Sequence, residues 1–158
     1  MMKVEKTKVA EMNEFRREFQ SIWADLDPNG HMRHTAYNDY AAQLRLNYFD
    51  EHGFSFARLI EMGIGPILFR EETKFLREVR MNERITIDLA MSKAREDGYK
   101  WTFRQTVYKN DGTISAIIEV DGAWMDLKRR KIMIPPTEIQ QMIEKVPKTE
   151  DFEWIPMK

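Results

Sequence analysis

Between Trp23 and Tyr37 the chain reads Trp-Ala-Asp-Leu-Asp-Pro-Asn-Gly-His-Met-Arg-His-Thr-Ala-Tyr, its densest run of chemically able side chains. Two carboxylates, Asp25 and Asp27, stand just ahead of two imidazoles, His31 and His34. A carboxylate can take a proton from water or attack an electrophilic carbonyl itself. The start of a helix offers unpaired backbone N–H groups and a partial positive charge, which hold an anion or the oxyanion of an attacked carbonyl. A carboxylate a few residues before a helix start therefore brings base and oxyanion donor within reach of one carbonyl. The same residues have an ordinary use, since Asp-Pro-Asn-Gly is turn chemistry and Asp or Thr before a helix often caps it. Spacing alone leaves both readings open. The four side chains share no recognised ligand spacing, so the cluster is expected to hold no metal.

Such a loop must be held between a strand and a helix. Phe15, Phe19 and Trp23 alternate loosely with polar residues, a strand that cannot continue through Asp27-Pro28-Asn29-Gly30. Beyond His34, Tyr37, Tyr40, Ala41, Leu44 and Tyr48 recur at three- and four-residue spacing, which predicts a helix of about 16 residues running to Glu51. Phe54–Met62 is read as an irregular or helical connector and Gly63-Ile64-Gly65-Pro66 as a break. A meander of four strands follows: Phe69–Val79, then runs carrying Ile85 to Met91, Trp101 to Val107, and Ile118 to Trp124. Asp97-Gly98 and Asp111-Gly112 mark the tight turns, read as hairpins whose two central residues both take positive φ. Thr137 to Gln140 resembles a capping box opening a short helix over 137–145, followed by a tail. Residues 1–13 read as an extended lead-in. The expected fold class is α+β, one domain over 1–158, with an antiparallel sheet wrapped around one long helix. An exposed sheet edge predicts pairing with a second copy, as a dimer or tetramer.

Composition narrows the function. Lys and Arg number 25 against 26 Asp and Glu, a net charge of −1, so no global field draws the chain to nucleic acid or an anionic membrane. With no cysteine there is no disulfide, thiolate ligand or Cys nucleophile, which fits the cytoplasm. The longest apolar stretch, Ile64 to Phe69, is far too short to span a bilayer, and no export signal follows Met1.

The stretch from Trp23 to Tyr48, with Asp25-x-Asp27-Pro28-x-Gly30-His31 and then Tyr37, Tyr40 and Arg45, resembles the signature of 4-hydroxybenzoyl-CoA thioesterase-like hotdog proteins. Phe75-Leu76-Arg77 looks like the triad such proteins carry in their second strand, and the likeness covers about residues 14–134. The resemblance implies an acyl-CoA thioesterase with the hotdog fold. It places the nucleophile or general base on Asp27 and the oxyanion donor on the His34 amide. It sets Gly30, His31 and Tyr37 against the substrate, with Arg129 and Arg130 of the Lys128–Lys131 run toward the CoA phosphates. CoA or an acyl carrier then enters only as part of the substrate, and no cofactor is expected. On the residues alone, Tyr37 belongs to the buried helical stripe and the basic run to a solvated strand end. An acyl hydratase or dehydratase of the same fold, or a non-catalytic acyl-binding protein, remains the alternative.

Overall fold

The computed structural model describes residues 14–157. The lead-in expected at 1–13 lies outside these residues. β1 (Phe15–Gln20) leads through a single 3-10 turn, Trp23–Asp25, and the Asp27 loop into helix α1 (His34–Glu51). With 18 residues, α1 is about 27 Å long. It ends at Glu51, and Gly53 two residues on takes a φ of +90° that suits a residue without a Cβ. The connector is a helix, α2 (Phe56–Met62), opened by Ser55, whose side chain accepts the Arg58 N–H at 3.2 Å, and closed by left-handed Gly63.

β2 (Ile64–Phe75), β3 (Arg84–Arg95), β4 (Lys100–Lys109) and β5 (Ile114–Asp126) form the meander. β6 (Lys131–Met133), helix α3 (Thr137–Glu144) and β7 (Lys148–Ile155) complete the chain. The strand order is β1-β3-β4-β5-β2, with β6 beside β5 and β7 beside β3.

Several boundaries differ from those the sequence suggests. β2 begins at Ile64 and takes in Gly65 and Pro66, which read as a break. The proline is tolerated because β2 is the outermost strand on its side. It also stops at Phe75, so Leu76 and Arg77 leave the strand and donate their amides to the Ser115 carbonyl at 2.8 and 3.0 Å. The two Asp-Gly turns are four-residue loops in which only Gly98 and Gly112 take positive φ, consistent with a turn closed by one left-handed glycine. Thr137 is the first residue of α3 and Pro136 precedes it without a side-chain cap, so no capping box forms. The tail is strand β7, which pairs parallel to β3 and makes the sheet mixed where an antiparallel one was expected.

The sheet curls around α1. Tyr37, Ala41, Leu44 and Tyr48 from the helix meet Ile85, Ile87, Leu89 and Met91 from β3, with Phe103, Val107, Ile118 and Val120 beyond. Each large side chain buried there contributes roughly 1.5–3 kcal/mol. Trp101 crosses Gly122, where a Cβ would stand 2.2 Å from the indole, so only glycine fits. The outer face carries a charge ladder: Arg70 bonds Glu119 and Asp121, and Arg104 bonds Glu119 and Asp151.

Candidate active site

The Asp27 loop is closed by its own backbone. The Asp27 N–H donates to the His31 carbonyl at 2.8 Å, and the Gly30 N–H donates back to the Asp27 carbonyl at 3.0 Å. Gly30 takes a φ of +78°, which the reversal requires. The Asp27 carboxylate faces this turn through one oxygen: Oδ1 accepts the Asn29 amide at 2.9 Å and the His31 amide at 3.2 Å. Among the described residues Oδ2 takes part in none of the loop's hydrogen bonds, and the side chain is half-buried.

Asp25 stands differently. It is buried, accepts the Ile22 N–H at 3.1 Å, and takes a short hydrogen bond from the Tyr40 hydroxyl on α1. Burial and this bond push the Tyr40 hydroxyl up to about 12, so it stays a donor at any working pH. The Asp25 carbonyl accepts the Arg33 N–H at 2.6 Å, tying the loop to the start of α1.

His34 is the first residue of α1, is exposed, and follows Arg33, which gives no side-chain cap. The helix start therefore meets solvent beside the loop that carries Asp27. The His31 ring meets the segment after β2, its Nε2 2.9 Å from a Glu78 carboxylate oxygen. Tyr37 lies in the core, its hydroxyl 3.3 Å from Ser115 Oγ and its ring edge-on to Phe75. Burial raises its hydroxyl above the ordinary range. The segment after β2 braces the loop from behind, with the Val79 carbonyl accepting the Met32 amide at 2.6 Å.

Arg129 and Arg130 are exposed on the β5–β6 turn, which Asp126 organises by accepting the Lys128 and Arg129 amides at 3.0 Å each. Asp126 pairs with Ile64 at the start of β2, beside the C-terminal half of α1. The structure thus brings Asp27, Gly30, His31 and His34 together, but within one chain it leaves Arg129 and Arg130 at the other end of the helix.

That far end holds a feature that sequence reasoning missed. A cavity of about 700 Å³ opens between α1, α2, the start of β2 and Leu127. Its only visible sequence signal is a set of large apolar residues that the core leaves exposed, Leu46, Phe56 and Ile60. Among the described residues no group of three or more His, Cys, Asp or Glu is arranged to hold a metal ion, and no helix is long and apolar enough to cross a membrane.

Several solved structures share this architecture. A hypothetical protein from Staphylococcus aureus, solved in complex with CoA, is 21% identical, with a TM-score of 0.79 over 86% of this chain and 87% of its own. A 1,4-dihydroxy-2-naphthoyl-CoA thioesterase from Synechocystis is 17% identical, with a TM-score of 0.75 over 82% and 95%. A candidate oleoyl thioesterase from Lactobacillus plantarum is 18% identical, with a TM-score of 0.77 over 92% of this chain and 53% of its own. At these identities the likeness establishes the fold. No curated protein matches the sequence. The sequence model of the Thioesterase-like superfamily matches residues 22–143, which take in the Asp27 loop, α1 and the whole meander, so the chain belongs to that superfamily and carries the hotdog fold.

Proposed function

We propose that the protein hydrolyses acyl-CoA thioesters, with Asp27 as the reacting carboxylate and the His34 amide as oxyanion donor. The observation that carries this reading is the state of Asp27: one oxygen is fixed by two loop amides, the other is outside the turn, and the uncapped start of α1 stands beside it. Asp27 either takes a proton from a water that adds to the thioester carbonyl or adds to it directly. The negative charge that develops on the carbonyl oxygen is held by the helix start, the C–S bond breaks, and the CoA thiolate leaves, taking its proton from protonated Asp27 in the first route and from solvent water in the second. In the direct route water then hydrolyses the anhydride. Gly30 and His31 flank the reacting group, Tyr37 packs behind it, and CoA is part of the substrate. The lack of cysteine suits work in a reducing cytoplasm.

The working unit in this reading is at least a dimer. Among the described residues β2 pairs only with β5, which leaves its outer edge open. Its end, Phe75, touches Tyr37 near the Asp27 loop, while its start, Ile64, lies at the cavity. Two copies joined antiparallel along β2 about a two-fold axis would set the cavity and Arg129 and Arg130 of each beside the Asp27 loop of the other. Release of free thiol from a panel of acyl-CoA esters tests the activity. Turnover of at least one ester by the folded dimer is expected, and a panel in which none is cleaved while enoyl-CoA is hydrated would replace hydrolysis with lyase chemistry.

A further inference from the structure

The cavity at the C-terminal half of α1 speaks to the acyl group. Leu46, Phe54, Leu59, Ile60, Ile64 and Leu127 supply an apolar wall. The polar wall is one face of α1, where Gln43 Nε2 donates to Asn47 Oδ1 at 2.8 Å. Asp50 remains at the rim, exposed. An aryl group would fill little of about 700 Å³ and cover little of the apolar wall. An alkyl chain would lie on the apolar wall alongside the stretch of α1 from Gln43 to Asp50, which is about 10 Å of helix and enough for roughly eight extended carbons.

We infer that this cavity receives the acyl chain of the substrate, and that the chain is aliphatic and of medium length. The inference rests on the thioester reading for the identity of the ligand and on the cavity for its class. Gly65 and Ile60 set the depth. A Cβ at Gly65 would stand 3.0 Å from Leu127 Cδ2, so any larger residue takes space from the cavity, and half-exposed Ile60 forms the opposite lip.

The test separates the pocket from the chemistry by using non-hydrolysable alkyl-CoA thioethers of two to fourteen carbons, with a benzyl analogue, measured by calorimetry on the assembled protein. Affinity is expected to rise about fourfold for each added methylene and to level off near eight to ten carbons. The benzyl analogue should bind more weakly than the octyl. Ile60→Trp is expected to move the plateau to shorter chains by two to four carbons without weakening the ethyl analogue, and Gly65→Leu should act in the same direction. Arg129→Ala with Arg130→Ala should weaken all lengths alike. Length-dependent binding that persists when no matching thioester is cleaved would keep the pocket and remove the thioesterase. Affinity independent of length, or a preference for the benzyl analogue, would overturn the pocket even if thioesters are hydrolysed.

Discussion

At its N-terminal end α1 meets a loop closed by hydrogen bonds among near neighbours in sequence, Asp27 with Asn29, Gly30 and His31, and Asp25 with Ile22 and Arg33. At its C-terminal end the same helix borders a cavity whose walls come from α1, Phe54, α2, β2 and Leu127. The first end is polar, local and rigid; the second is apolar and assembled from distant segments. Reactive groups need fixed geometry, which short hydrogen-bonded turns supply, whereas an alkyl chain needs only volume and apolar surface. Along α1 the two ends stand roughly 13–24 Å apart.

The largest expected effect lies at the polar end. Asp27→Asn keeps the Oδ1 contacts possible while removing the negative charge and the proton acceptor, so kcat should fall by about 10²–10⁴-fold with binding of thioether analogues unchanged. Equal turnover of the variant and the parent on their best thioester would sink the mechanism.

Joining the two ends is the next effect in size. If each site takes Asp27 from one protomer and its cavity from the other, Asp27→Asn and Ile60→Trp proteins lie in different halves of it. Unfolded together and refolded as an equal mixture, they should regain roughly a quarter of parental activity on a decanoyl thioester, because about half the dimers are mixed and each mixed dimer has one intact site. No recovery in a mixture shown to contain heterodimers would place both ends of the site within a single chain.

The same contrast explains what the sequence made legible. The loop motif, the α1 stripe from Tyr37 to Tyr48 and the alternation of β3 to β5 are short-range patterns, and each corresponds to an element in the structure. The start of β2 was hidden because Gly65-Pro66 reads as a breaker unless the strand is known to lie at an edge. β7 was hidden because its partner, β3, lies far back in the chain and its exposed residues are mostly charged. The cavity had no readable pattern, since Leu46 interrupts a polar helix face and Phe56 and Ile60 belong to a helix of only seven residues.

A smaller effect distinguishes the two aspartates. Tyr40→Phe removes the donor that Asp25 uses inside the loop, and Asp25→Asn changes the acceptor of the same bond. Each should cost about 1–2 kcal/mol of stability, a fall in Tm of roughly 2–8 °C, with kcat reduced far less than by Asp27→Asn. A loss of turnover as large as that of Asp27→Asn, in protein that melts like the parent, would move Asp25 from holding the loop to the chemistry.

The smallest expected effect concerns how firmly the apolar end is held. Arg58 fastens α2 in place: its guanidinium reaches the Gly53 carbonyl at 2.8 Å and Glu138 on α3 at 2.9 Å, and lies 4.7 Å from the centre of the Phe54 ring. These contacts are largely exposed, so Arg58→Ala should lower stability by less than about 1 kcal/mol. Leu59 and Ile60 nevertheless lie on the wall that α2 presents to the cavity, with Phe54 just ahead of the helix, and releasing the clamp lets that wall move. The variant should therefore raise KM for octanoyl and decanoyl thioesters by about two- to fivefold while leaving the acetyl ester and every kcat near parental values. An equal rise for all chain lengths would mean that Arg58 acts through the assembly as a whole, and the cavity would lose its claim to be the part of the molecule that measures the chain.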